Sequence, residues 1–182
     1  MNDKAEKVYA DAFFTLCLEE TPNTLKNTLG ELSALDGIFR EQPDFVKLLG
    51  TPTVTMDEKL GMIKDIIADG ISEYTGNLLC VLTERGRMGC FSGIVKNFRA
   101  LYNEHFRIAE ITVTASAPLS EFVREKIAAK MSEVTGKTVS IKEKVDPSII
   151  GGVVIDYGST RYDGSIRTRL NELKKELGGV IA

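Results

Sequence analysis

The chain has 182 residues, a formal net charge of −3, 43% apolar and 27% charged residues. This is an ordinary globular composition with room for one domain or two small ones. It excludes a broad basic field for nucleic acid, and no apolar run approaches the roughly 20 residues that span a bilayer, so no direct membrane insertion is expected.

Up to about residue 106 the pattern is helical. Helices are predicted near 4–20, 22–41, 43–50, 56–69, 71–85 and 89–106. Pro22, Pro43 and Pro52 fall where elements break, as do Pro118 and Pro147 further on. The second helix carries Leu25, Leu29, Leu32, Leu35 and Phe39 on one face, and the fourth Leu60, Ile63 and Ile67. Short connections favour antiparallel packing.

After residue 107 the period changes. Ile111, Val113 and Ala115 alternate with threonines, as in a half-buried strand. Pro118 and Ser120 introduce a helix with the stripe Val123, Ile127, Met131 and Val134. Strands are predicted near 137–145, 150–157 and 160–162. A last helix places Ile166, Leu170, Leu173 and Leu177 on one face, with Asp163 or Ser165 as N-cap and Gly178 suited to its end. The expected fold is an N-terminal six-helix bundle, residues 1–106, joined to a small mixed α+β domain, residues 107–182.

Local motifs for chemistry are absent. Gly136-Lys137-Thr138 imitates the end of a phosphate-binding loop, but Met131 stands where the first glycine belongs, and the order is helix to strand. Gly151-Gly152 lacks the third glycine and following helix of a dinucleotide fingerprint, so a bulge or close strand packing is expected. His105 stands alone at a helix end, without neighbouring metal ligands. Cys17, Cys80 and Cys90 are odd in number and outside any C-x-x-C pair, which predicts reduced thiols, mostly buried, rather than a disulfide frame or zinc site. No catalytic residue, cofactor or metal is expected. The opening MNDKAEKVYADAFF has early acids and no small-residue cleavage site, which reads as no leader and a cytoplasmic protein.

The N-terminal half offers surplus apolar surface instead. Tyr9, Phe13 and Leu16, with their apolar neighbours, cover well over half the circumference of the first helix. Tyr74, Leu78 and Leu82 belong to a similarly apolar fifth helix. Either both helices sit centrally in the bundle, or a groove between them receives an amphipathic helix from a partner; the two are compatible.

The most specific signal is C-terminal. Val145-Asp146-Pro147-Ser148-Ile149-Ile150-Gly151-Gly152-Val153-Val154-Ile155, followed by Asp163-Gly164-Ser165-Ile166-Arg167 and Leu170, resembles the signature of the delta subunit of rotary ATP synthases, called the oligomycin-sensitivity-conferring protein in mitochondria. Tyr9-Ala10 with Ala12-Phe13, and Leu78-Leu79 and Leu82 with Glu84-Arg85-Gly86-Arg87, are weaker matches to its first and fifth helices. The resemblance implies a non-enzymatic stator subunit of a proton- or sodium-translocating F-type synthase. Its N-terminal bundle would hold the N-terminal segment of an α subunit, with room for β-subunit contacts. Its C-terminal domain would engage b-type peripheral-stalk subunits. It would lie peripherally on the cytoplasmic face of the cell membrane. Asp146, Pro147, Gly151, Gly152, Asp163, Gly164 and Ser165 would be structural. Arg161 departs from the pattern, standing where an apolar strand residue is expected. The rival readings are a helical adaptor of another complex, an RNA-binding helical bundle, which the acidic balance opposes, and a small enzyme.

Overall fold

The computed structural model describes residues 2–20, 22–50, 54–68 and 70–180. The chain divides into two compact units, residues 1–102 and 103–182.

The first unit holds α1 (Asn2–Glu20), α2 (Pro22–Glu41), α3 (Pro43–Gly50), α4 (Met56–Ala68), α5 (Glu73–Glu84) and most of α6 (Phe91–His105), which a 3-10 turn, Met88–Cys90, precedes. On α2 the buried positions are Leu25, Thr28, Leu32, Leu35 and Phe39, alternating three and four residues apart. This is the seam of a helix packed against near-parallel neighbours. The sequence reading put Leu29 in that stripe; it is only partly buried, and Thr28 takes the inward place. The Cys17 thiol, 3.9 Å from the Thr28 hydroxyl, donates to it. Tilted and edge-on rings fill the interior: Phe98 meets Phe13 at 5.6 Å and Phe14 at 5.5 Å, and Phe39 meets Phe91 at 5.0 Å. The first turn of α5 is tied to α2, since the Ser72 and Thr75 hydroxyls each donate to the Glu31 carboxylate at 2.6 Å. Ser72 is the N-cap, which delays the start of α5 to Glu73.

The second unit holds β1 (Ile108–Ala115), α7 (Glu121–Thr135), β2 (Thr138–Val145), β3 (Val153–Tyr157), β4 (Thr160–Asp163) and α8 (Ile166–Val180), with a 3-10 turn at Pro147–Ile149. The sheet order is β2-β1-β3-β4. β1 and β2 are parallel, with α7 as the crossover; β1/β3 and β3/β4 are antiparallel. Ile111, Val113 and Met131 form the buried centre, with Ile127, Val139, Ile141, Val153 and Ile155 packed around it.

Two expectations are corrected here. Of the α7 stripe, only Met131 is buried and Ile127 partly so; Val123 and Val134 are exposed, because the inward face runs through Arg124, Ile127, Ala128, Met131 and Thr135 and leaves both valines on its margins. Gly178 does not end α8, which continues to Val180. The apolar face expected on α8 faces solvent: Ile166, Leu170, Leu173 and Leu177 are 44%, 51%, 53% and 65% exposed. Arg161 points outward and pairs with Asp156, its cross-strand partner, at 3.3 Å, so the hairpin keeps its register.

Candidate functional site: an apolar groove and a C-terminal clasp

On α1, Tyr9, Ala12, Phe13 and Leu16 follow the spacing i, i+3, i+4, i+7, and on α5 Tyr74, Asn77, Leu78 and Val81 repeat it. These eight residues line one groove of about 400 Å³. Two such stripes side by side form a trough whose long axis follows the helices. Leu16 and Val81 stand on its rim, 46% and 42% exposed, while Phe13 and Leu78 form its largely buried floor. The ends differ in charge. Near one, Arg87 donates to the Tyr9 hydroxyl at 3.3 Å, its guanidinium 5.6 Å from the ring centre. Near the other, the Glu20 carboxylate accepts from the Tyr74 hydroxyl, and this bond holds the phenol above its ordinary pKa.

Five of the six residues expected in this groove therefore line it. Leu82 does not: it is fully buried. It stands one turn after Leu78, but at the edge of that stripe turned toward Leu79 and Thr75, three and seven residues before it and both fully buried. Asn77 escaped the sequence reading because it is polar; the register set by Tyr74 and Val81 places it. A second hollow of about 530 Å³, between α2, α3 and the segment before α5, is lined by Leu35, Ile38, Phe39, Phe45 and Ile71 among others. Leu35 and Phe39 were read from sequence only as part of the apolar face of α2.

The C-terminal signature forms a backbone clasp. Asp146 accepts from the Ser148 amide at 2.9 Å, capping the Pro147–Ile149 turn. Gly151 and Gly152 then enter β3. The Gly164 amide donates to the Val153 carbonyl, and the Ile166 amide to the Gly151 carbonyl, both at 3.0 Å. Gly152 has φ +79°, and a Cβ on it would stand 2.3 Å from the Gly164 carbonyl oxygen. No side chain fits there. Asp163 accepts from the Ser165 amide and the Thr168 hydroxyl, both at 2.9 Å, and buried Ser165 caps the first turn of α8. These residues therefore join the Pro147–Ile149 turn, β3 and α8 at one point.

Gly136 is the C-cap of α7, its amide donating to the Ser132 carbonyl at 2.8 Å, so it begins no phosphate loop. His105 ends α6, its ring edge-on to Phe106. Cys17 and Cys90 are buried, Cys80 is half-buried, and all three are free thiols; burial raises the Cys17 pKa. Among the described residues no group of three or more His, Cys, Asp or Glu could hold a metal, and no helix is long and apolar enough to cross a membrane.

The family profile described as ATP synthase delta (OSCP) subunit matches residues 5–177. The chloroplastic ATP synthase subunit delta of Emiliania huxleyi is 35% identical over 173 residues, 94% of this chain and 95% of that protein. ATP synthase subunit delta of Anaeromyxobacter sp. (strain Fw109-5) is 33% identical over 170 residues, 93% of this chain and 94% of that protein. A chain of the Toxoplasma gondii mitochondrial ATP synthase hexamer has the same fold, with a TM-score of 0.70 over 94% of this chain and 96% of that one at 21% identity. With matches that run nearly end to end in both directions, the chain belongs to the ATP synthase delta (OSCP) subunit family.

Proposed function

We propose that the α1/α5 groove holds the N-terminal helical segment of an ATP synthase α subunit, and that the second unit engages b-type peripheral-stalk subunits. Membership in the delta (OSCP) family makes the chain a non-catalytic stator subunit of an F-type ATP synthase, with other synthase subunits as partners. The observation that carries the finer assignment is the pair of matched apolar stripes on α1 and α5. An amphipathic helix laid in that trough would meet apolar side chains every third or fourth residue along its length. A stator joint requires slow dissociation under torque, which buried apolar anchors supply and acid–base chemistry does not. β-subunit contacts would complete the seat on the catalytic head, and the complex would lie on the cytoplasmic face of a cell membrane without this chain entering it. Titrating the full chain with a peptide of the α-subunit N-terminus, with Leu16→Glu as control, tests the groove. Undiminished affinity in a natively folded Leu16→Glu variant would refute the assignment.

A further inference from the structure

The hollow between α2, α3 and the segment before α5 shares no lining residue with the α1/α5 groove and is the larger of the two, about 530 Å³ against about 400 Å³. Its size is that of cavities that hold small organic ligands. The long wall is α2, on which Glu31, Leu35, Ile38 and Gln42 recur every third or fourth residue. From Glu31 to Gln42 the wall runs about 16 Å at 1.5 Å per residue. Leu35 and Phe39 are its buried floor, and Ile38 is an exposed rim. The rings of Phe39 and Phe45, 5.9 Å apart and tilted by 31°, make one aromatic surface.

Among the described residues, Glu31 is the one ionisable side chain that lines this hollow. Its Oε2 accepts from the Ser72 and Thr75 hydroxyls, each at 2.6 Å. Both donors are neutral, so these bonds fix the carboxylate in place without neutralising it. Its position is set before any ligand arrives, which lowers the ordering cost of binding there. We propose that the hollow binds a lipophilic ammonium, with its protonated amine on Glu31 and an aryl body against Phe39 and Phe45. The charge selects this occupant. An anion would be repelled by Glu31, and a neutral apolar molecule would desolvate the carboxylate without giving it a donor. An ammonium supplies a charge-assisted hydrogen bond instead. Gln42, at the far end of the wall, offers an amide to a polar tail.

The test titrates the full, isotope-labelled chain with biphenylmethylammonium, neutral biphenylmethanol and anionic biphenylcarboxylate, and follows amide NMR shifts. The ammonium should shift the amides of Ile38, Phe45 and Ile71 and bind about 10-fold more tightly than the alcohol. The carboxylate should bind more weakly than either. Glu31→Gln keeps an oxygen for Ser72 and Thr75, so the fold should hold, and it should erase the preference for the ammonium over the alcohol. Ile38→Lys, on the exposed rim, should weaken the ammonium about 10-fold with an unchanged circular dichroism spectrum. Equal affinity of the wild-type chain for ammonium and alcohol overturns the proposal, as do absent shifts or shifts confined to the α1/α5 groove. An α-subunit peptide that displaces the ammonium from the hollow would make a helix its occupant and overturn it too. The stator reading stands or falls separately, on the Leu16→Glu titration.

Discussion

A single methyl group added at Gly152 measures what the clasp contributes. Gly152→Ala places a Cβ 2.3 Å from the Gly164 carbonyl oxygen and 3.2 Å from the Ser165 Cα, at φ +79°. The left-handed conformation costs a residue with a Cβ roughly 1–2 kcal/mol. The neighbours are backbone, so no rotamer change relieves the contact, and β3 must separate from residues 164–166. That separation breaks the bonds from Gly164 to Val153 and from Ile166 to Gly151, at about 1 kcal/mol each. The total is about 3–4 kcal/mol. At roughly 0.05–0.15 kcal/mol per residue, this is a large share of the stability of residues 103–182. Gly158 supplies the control, because its φ is +58° and a Cβ there meets nothing within 4 Å. Gly158→Ala should therefore cost only the roughly 1–2 kcal/mol of conformational strain. Urea unfolding followed by NMR resonances of β1–β4 separates the two variants, and amide exchange at Gly164 and Ile166 should accelerate only in Gly152→Ala. Equal losses at both positions would refute the clasp as a close-packed joint.

In the groove, Leu16→Glu and Val81→Glu should each weaken α-peptide binding by more than about 2 kcal/mol where they act as hot spots; calorimetric titration reads this. Their rim positions keep the fold intact, whereas the buried floor residues Phe13 and Leu78 would unfold the unit if charged. In acid, the bonds from the Ser165 amide and hydroxyl, then the Thr168 hydroxyl, hold the Asp163 carboxyl below its ordinary pKa, and Ser148 does the same for Asp146. A depressed folded pKa stabilises the fold above the unfolded value, near 3.9, and the contribution is lost as pH falls through the folded value. The α8 cap should therefore loosen below about pH 4. Asp163→Asn should be less stable at neutral pH and show a shallower acid transition by circular dichroism. Removing residues from about 108 onward should leave ATP hydrolysis by the soluble head intact and abolish proton-driven synthesis in proteoliposomes; normal synthesis with the truncated chain would refute the stator role of the second unit.

Much of this was legible in residue patterns, for reasons that also explain what was not. Periodicity reports which side of a helix is apolar, so the α1 and α5 stripes and the order of strands after residue 107 could be read directly. It does not report which edge of a stripe a neighbour covers, or whether one covers it at all, so neither the exposure of Val123 and Val134 nor that of the whole α8 face could be read from it. Leu82 shows a finer ambiguity on one helix: it is one turn from Leu78, and only packing decides that it faces the core rather than the groove. Thr28 replaced Leu29 because a hydroxyl with a thiol partner can be buried, and hydropathy alone ranks it lower. The clasp was visible as turn chemistry at Gly151-Gly152 and Asp163-Gly164-Ser165, but their meeting across 12 residues of chain was not. That contact depends on the β3/β4 hairpin, and only the folded register brings it about.

The sheet order also sets a timetable for synthesis of the chain. β1 lies between β2 and β3, so both of its neighbours emerge from the ribosome after it. Its pairing with β3 needs residues to 156, and the clasp needs Ile166. The first unit has all its helices by residue 105 and can close from local contacts, which form quickly. The two halves thus mature one after the other during translation. A ribosome paused between residues 115 and 138 would display the finished helices of the first unit and an unpaired, eight-residue β1 strand. Such a nascent chain would expose both edges of its central strand before either neighbour exists to cover them.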